Sequence, residues 1–198
     1  MKNIISKSLL NAYSYPEYRK RIADLLSQEK SSGNDQSEDL LHYSQLNETR
    51  MNRLDKTITV PAENELILKN LQTDYIWLVL SEGWCGDAAQ LLPIMNKMAQ
   101  LSDKIDLQIV FRDENPELMD LFLTNGGKSI PKLIIIEKNT MEVVADWGPR
   151  PHAAAELIKN YKEKHGIIDE NAKTELQLWY LHDKGFSTQS EILALLKK

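Results

Sequence analysis

The chain has 198 residues, 42% of them hydrophobic and 27% charged, an ordinary globular composition and enough length to bury a core without metal or disulfide. Its 24 basic and 29 acidic side chains leave a net charge of −5, with no basic footprint for a phosphate backbone, so no nucleic acid is expected as a partner. The single cysteine, Cys85, excludes an internal disulfide framework and a cysteine-rich metal site built from this chain alone.

The first 60 residues are polar and hold two helical patterns around Ser31–Glu38 (SSGNDQSE), the best linker candidate in the chain. The first pattern follows Pro16, with Tyr18, Ile22, Leu25 and Leu26 on one stripe. The second starts at an N-cap, Ser37, and turns Leu40, Leu41, Tyr43, Leu46 and Met51 inward. Pro61 opens a short helix. Tyr75–Leu80 is apolar on both faces, as a strand covered from both sides must be. A helix follows from Cys85 to about Leu101, with Pro93 inside it as an expected kink. Ile105–Phe111 alternates as a second strand, and a helix begins at Asn115-Pro116 and runs to Gly126-Gly127.

Lys132–Glu137 and Met141–Trp147 read as strands, and the short loop between them allows only an antiparallel hairpin. Pro149-Arg150-Pro151 leads into a helix ending near Gly166. Two amphipathic helices complete the chain, one carrying Leu176, Leu178, Trp179 and Leu181, the other spanning Thr188–Leu196. The core order β-α-β-α-β-β-α, with a right-handed first crossover, gives an α/β fold: a mixed central sheet flanked by helices, with helical extensions at both termini. The divisions are an N-terminal helical extension (1–59), a central domain (60–165) and a C-terminal helical extension (166–198). The longest apolar runs fall far short of the ~20 residues of a membrane helix. The N-terminal stretch has no convincing secretory h-region, so no membrane is expected as a partner and the protein reads as cytoplasmic. His42, His152, His165 and His182 are scattered without metal-ligand spacing, and neither metal nor cofactor is expected.

The chemistry concentrates in Ser81–Ala88, where the carboxyl end of the first strand meets a helix, the edge at which open α/β sheets gather functional groups. A cysteine at a helix N-terminus feels the amide dipoles, which favour thiolate. Asp87 in the same turn opposes that, and accepts the proton if it faces the sulfur. Cys85 has a bland reading, a small buried hydrophobe, and a sharp one, a reactive thiol. Its Trp-Cys-Gly context favours the second.

Trp84-Cys85-Gly86-Asp87-Ala88 resembles the active-site turn of the thioredoxin family, where Trp-Cys-Gly-Pro-Cys is usual. Pro93, Ile130-Pro131 and Gly148 also fall where that family has a helix kink, a cis-proline beside the catalytic cysteine and a glycine after the last strand. The resemblance covers roughly residues 60–165 and implies a thioredoxin-like fold. Asp87 and the run Gly148-Pro149-Arg150-Pro151 look like a divergent bacterial branch. Ala88 stands where the second, resolving cysteine would be, and Val79 where many members carry a buried acid. The resemblance therefore implies a monothiol: Cys85 forms mixed disulfides with protein or small-molecule thiols and disulfides, and the resolving thiol comes from outside. Asp87 would tune the proton, Trp84 and Gly86 would shape the turn, and Ile130 and Pro131 would present a backbone edge to substrate. On this reading Cys85 alkylates faster than a free thiol. The alternatives are a non-catalytic binding module with a vestigial thiol, and a redox-linked homodimer joined through Cys85. Arg112, Lys128, Lys132 and Arg150 are candidates to line the Cys85 edge and attract an acidic thiol.

Overall fold

The computed structural model describes residues 1–196. Four strands, β1 (Tyr75–Ser81), β2 (Ile105–Phe111), β3 (Lys132–Glu137) and β4 (Glu142–Trp147), form one sheet in the order β2-β1-β3-β4. β1 and β2 are parallel, with Tyr75 opposite Ile105 and Ser81 opposite Phe111. β3 runs antiparallel to both β1 and β4. β1 is the most enclosed strand, and Trp77, Leu78, Val79 and Leu80 are fully buried, which explains its unbroken apolar run.

Nine helices surround the sheet among the described residues. The first three, α1 (Lys2–Leu9), α2 (Tyr15–Ser27) and α3 (Glu38–Thr57), precede β1 together with the short α4 (Ala62–Lys69). α5 (Gly86–Ala99) joins β1 to β2, and α6 (Pro116–Leu121) joins β2 to β3. The chain ends in α7 (His152–His165), α8 (Glu170–Asp183) and α9 (Phe186–Leu196). α5 is the hub, with α3, α4 and α9 packed against it, while α1 and α2 pack on β2. Eleven of the fourteen α5 residues are buried, and the helix continues through Pro93 to Ala99.

Four details differ from the sequence reading. α1 was not anticipated, because its stretch is broken by Asn3, Lys7 and two serines, yet Ile5 is fully buried. α6 stops at Leu121 rather than at Gly126, and Leu121 and Leu123 are exposed, so that apolar stripe is only partly used by the core. α3 buries Met51 as expected, but otherwise Ser44 and Asn47 rather than Leu40, Leu41, Tyr43 and Leu46, and α8 buries Leu176 as expected together with Ala172 and Tyr180 while exposing Leu178 and Leu181. The buried polar positions have partners: Asn47 and Tyr180 bond groups of the turn around Cys85, and Ser44 bonds Ser31 of the preceding segment. Finally, Ser31–Glu38 begins as a packed strap, with Ser31 and Ser32 buried.

The N-terminal extension also caps one edge of the sheet. Tyr13 exchanges two backbone hydrogen bonds of 2.8 Å with Ile109, capping the outer side of β2. An exposed strand edge is a pairing hazard, and one bridge blunts it. No described helix is long and apolar enough to cross a membrane.

Candidate active site

β1 ends at Ser81, and Glu82, Gly83 and Trp84 form the turn into α5. Cys85 is the N-cap of α5, its Sγ accepting the Ala88 N–H at 3.4 Å. A thiol is a weak acceptor, so this cap holds the sulfur at the positive end of the helix without a strong bond. On its other side the Sγ–H donates to the Ile130 carbonyl at 3.4 Å. Cys85, Ile130 and Pro131, 45 residues apart along the chain, are thus brought together, and the Ile130-Pro131 peptide is cis. Gly148, at φ +114°, lies so close to the Pro131 carbonyl oxygen that a Cβ there would collide with it, so glycine is required on both counts.

Asp87 does not face the sulfur as an idle base. Its Oδ2 lies 2.7 Å from Arg150 Nη2, and its Oδ1 accepts the Tyr180 hydroxyl at 2.8 Å. α8 is therefore fastened to the first turn of α5, and a second tie, Gln90 Nε2 to Gln177 Oε1 at 2.7 Å, runs beside it. α3 is fastened from the opposite side, where Asn47 Nδ2 donates to the Gly83 carbonyl at 2.9 Å. Arg50, one turn further on, donates from Nη1 to Asn47 Oδ1 at 2.8 Å, and its guanidinium stands 3.7 Å from where a Gly86 Cβ would sit.

Beneath the turn, Glu82 is fully buried. One oxygen accepts the Asp113 N–H at 3.0 Å and the other the Ser32 hydroxyl, whose Oγ in turn accepts the Gly83 N–H at 2.8 Å. Burial pushes the Glu82 carboxyl up, the two donors only partly restraining it. The Ser31–Gly33 strap is thereby explained: its small hydroxyl side chain supplies the donor that a buried acid needs.

Cys85 is only 7% exposed. Burial, and then the Asp87 carboxylate, push its thiol up from an ordinary 9.0 to about 12, against the smaller opposing pull of the helix amides and Arg150. The expected lowering by the helix end is thus corrected: the dipole is present but desolvation is larger, and desolvation cannot be read from a local motif. Trp84 is half-buried, with Arg112 stacked over its ring at 4.9 Å. Its indole Nε1–H and the Arg150 Nε–H are buried donors with no acceptor among the described residues.

Of the basic residues expected near the thiol, Arg150 binds Asp87 and Arg112 stacks on Trp84, whereas Lys132 is buried against Asp146 and Lys128 pairs with Asp120. The reading along the chain missed Asn47, Arg50, Glu82 and Tyr180. Only Glu82, an acid directly after an apolar strand, carried a local signal. A cavity of about 950 Å³ opens beside the sulfur between α3 and α8, and Trp84, Cys85, Gly86 and Asp87 form its floor.

A cysteine capping the helix after a central parallel strand, with an X-Pro loop against its sulfur, defines a thiol-bearing α/β protein of the thioredoxin-like class. The thioredoxin family model matches residues 33–162, and the chain belongs to that family. Among solved structures, a protein of unknown function from Pseudomonas aeruginosa is similar at 14% identity and a TM-score of 0.60, covering 93% of this chain and 98% of its own. An HIV epitope-scaffold is similar at 16% identity and a TM-score of 0.57, covering 88% of this chain and 96% of its own. These likenesses extend the fold through most of both helical extensions. No curated protein matches the sequence.

Proposed function

We propose that this thioredoxin-family protein is a monothiol that accepts a disulfide partner on Cys85 and holds it. The carrying observation is the Sγ placed between the α5 amide and the Ile130 carbonyl, on the floor of an open cavity. The Cys85 thiol loses its proton, and the thiolate attacks one sulfur of a partner disulfide. A Cys85–partner disulfide forms, and the partner's other sulfur leaves as thiolate and takes up the proton. The chain has no second cysteine to release the adduct. A sulfur with a high thiol pKa is also a poor leaving group, so an incoming thiol displaces it slowly. Both features favour slow loading and long retention over rapid turnover. Mass spectrometry of native protein incubated with a small aromatic disulfide tests this. One adduct on Cys85, formed slowly and persisting after the reagent is removed, supports the reading. An unmodified protein after prolonged incubation rejects it.

A second reading, a non-catalytic binding module with a remnant thiol, is favoured by the burial of Cys85 and by the engagement of Asp87 with Arg150 and Tyr180. Under that reading partner capture under reducing conditions is the same for wild type and Cys85→Ser. Under the first, capture in oxidising conditions depends on the sulfur.

A further inference from the structure

The cavity beside Cys85 has a charge pattern that the thiol chemistry does not use. Asp87 is neutralised by Arg150, and Glu170 by Lys173 at 2.6 Å. Glu48, on α3, is turned to the other side of that helix, 2.8 Å from Arg19. Two cations in the cavity wall, Arg50 and Arg53, are left without a carboxylate partner among the described residues. Arg50 is half-buried, with a neutral amide oxygen as its one hydrogen-bond acceptor. Burial and the like charge of Arg53 lower its pKa, the signature of a guanidinium lacking a counter-ion. It stands over the first residue of α5, so the amide dipoles of that helix add to the same positive field.

The remainder of the wall is apolar. Leu46 of α3 and Leu178 and Leu181 of α8 are 39%, 48% and 50% exposed and all line the cavity. Three exposed leucines lining one cavity from two helices, which buried polar groups hold in place, are not accounted for by the core.

We propose that the cleft between α3 and α8 binds a small carboxylate-headed amphiphile, its head on Arg50 and Arg53 and its apolar body on Leu46, Leu178 and Leu181. The planar fork of an arginine matches a carboxylate bidentately. Of the two unpaired guanidiniums only Arg50 is half-buried, whereas Arg53 is exposed and screened by solvent, so a singly charged head, matching the one desolvated cation, is favoured over a dianionic phosphate. The volume, about 950 Å³, falls within the range of small-molecule sites, of order 300–1,000 Å³. Binding is non-covalent and does not require the sulfur, so it stands or falls separately from the mixed-disulfide chemistry.

The test is calorimetric titration of the full-length protein with sodium decanoate, together with amide chemical-shift mapping. Saturable 1:1 binding is expected, with perturbed amides at Gly86 and along α3 and α8. Arg50→Gln should weaken it by about ten-fold or more, the loss of a charge-assisted contact, and Leu181→Gln should also weaken it. Arg50→Lys, which keeps the charge, recovers part of the affinity and controls for folding. Cys85→Ser should bind as wild type does, even if no mixed disulfide ever forms. Absence of saturable binding, equal affinity in Arg50→Gln, perturbations away from the cleft, or tighter binding of decyl phosphate would each overturn the proposal.

Discussion

Alkylation of Cys85 measures the balance of forces at the site most directly. The helix N-terminus alone would make this thiol faster than a free one, and burial beside Asp87 makes it slower. With the thiol at about 12 rather than 9.0, the thiolate fraction at neutral pH falls by about 1,000-fold, ten-fold for each pH unit between them. A more basic thiolate is a better nucleophile, and a Brønsted coefficient of about 0.4–0.5 returns roughly 16- to 30-fold. The net expectation is alkylation about 30- to 60-fold slower than a free thiol, before any hindrance from a residue that is 7% exposed. The assay is the rate of iodoacetamide modification of native protein against pH, read by intact mass, with urea-unfolded protein as the reference. Cys85 is the one cysteine, and a Cys85→Ser control separates its adduct from slower modification of lysine, histidine and methionine. A native rate equal to or above the unfolded rate at pH 7, or an inflection at or below the free-thiol value, would refute the claim that desolvation dominates here.

Three further outcomes follow from the same geometry. Asp87→Asn removes the charge that disfavours the thiolate and leaves Arg150 unpaired beside it, so the alkylation inflection should move down; an inflection that stays or rises contradicts the assigned cause. Asn47→Ala leaves the Gly83 carbonyl buried and unsatisfied, and urea unfolding should show a loss of about 1–3 kcal/mol at unchanged m-value, whereas a neutral change would mean the strap on the turn is not structural. Glu82 has a folded pKa above its unfolded one, so the stability it contributes is fully present below the ordinary carboxyl range and is lost as pH rises through the raised value. Wild type should therefore lose stability relative to Glu82→Gln between acid and neutral pH, and parallel stability curves for the two proteins would argue against a desolvated acid at this position.

The succession of strands and helices along the chain from β1 to β4, the parallel β1–β2 pair and the β3–β4 hairpin were legible because each depends on local pattern, whereas the antiparallel β1–β3 pairing that joins them was not. β1 must be apolar on both faces to sit between neighbours, α5 repeats its apolar residues at helical spacing, and the short β3–β4 loop permits only a hairpin. The site was legible for the same reason in its near parts: Trp84, Cys85, Gly86 and Asp87 are consecutive, and a strand-to-helix junction is where such residues become accessible to chemistry. What the motif could not supply was the surroundings. The inward faces of α3 and α8 carry Asn47 and Tyr180, and at those positions an amphipathic pattern counts a polar residue as outward-facing.

The sequence by itself determined the family, the lone sulfur and the helix end on which it stands, because those depend on neighbours within a few residues. The protonation of that sulfur was decided only by tertiary structure. Its pKa depends on how much water is excluded and where the Asp87 carboxylate points, and that carboxylate is held by Arg150 and by Tyr180 of α8, about 60 and 90 residues further along the chain. Desolvation is a property of a volume assembled from distant segments, and a local motif contains no information about it.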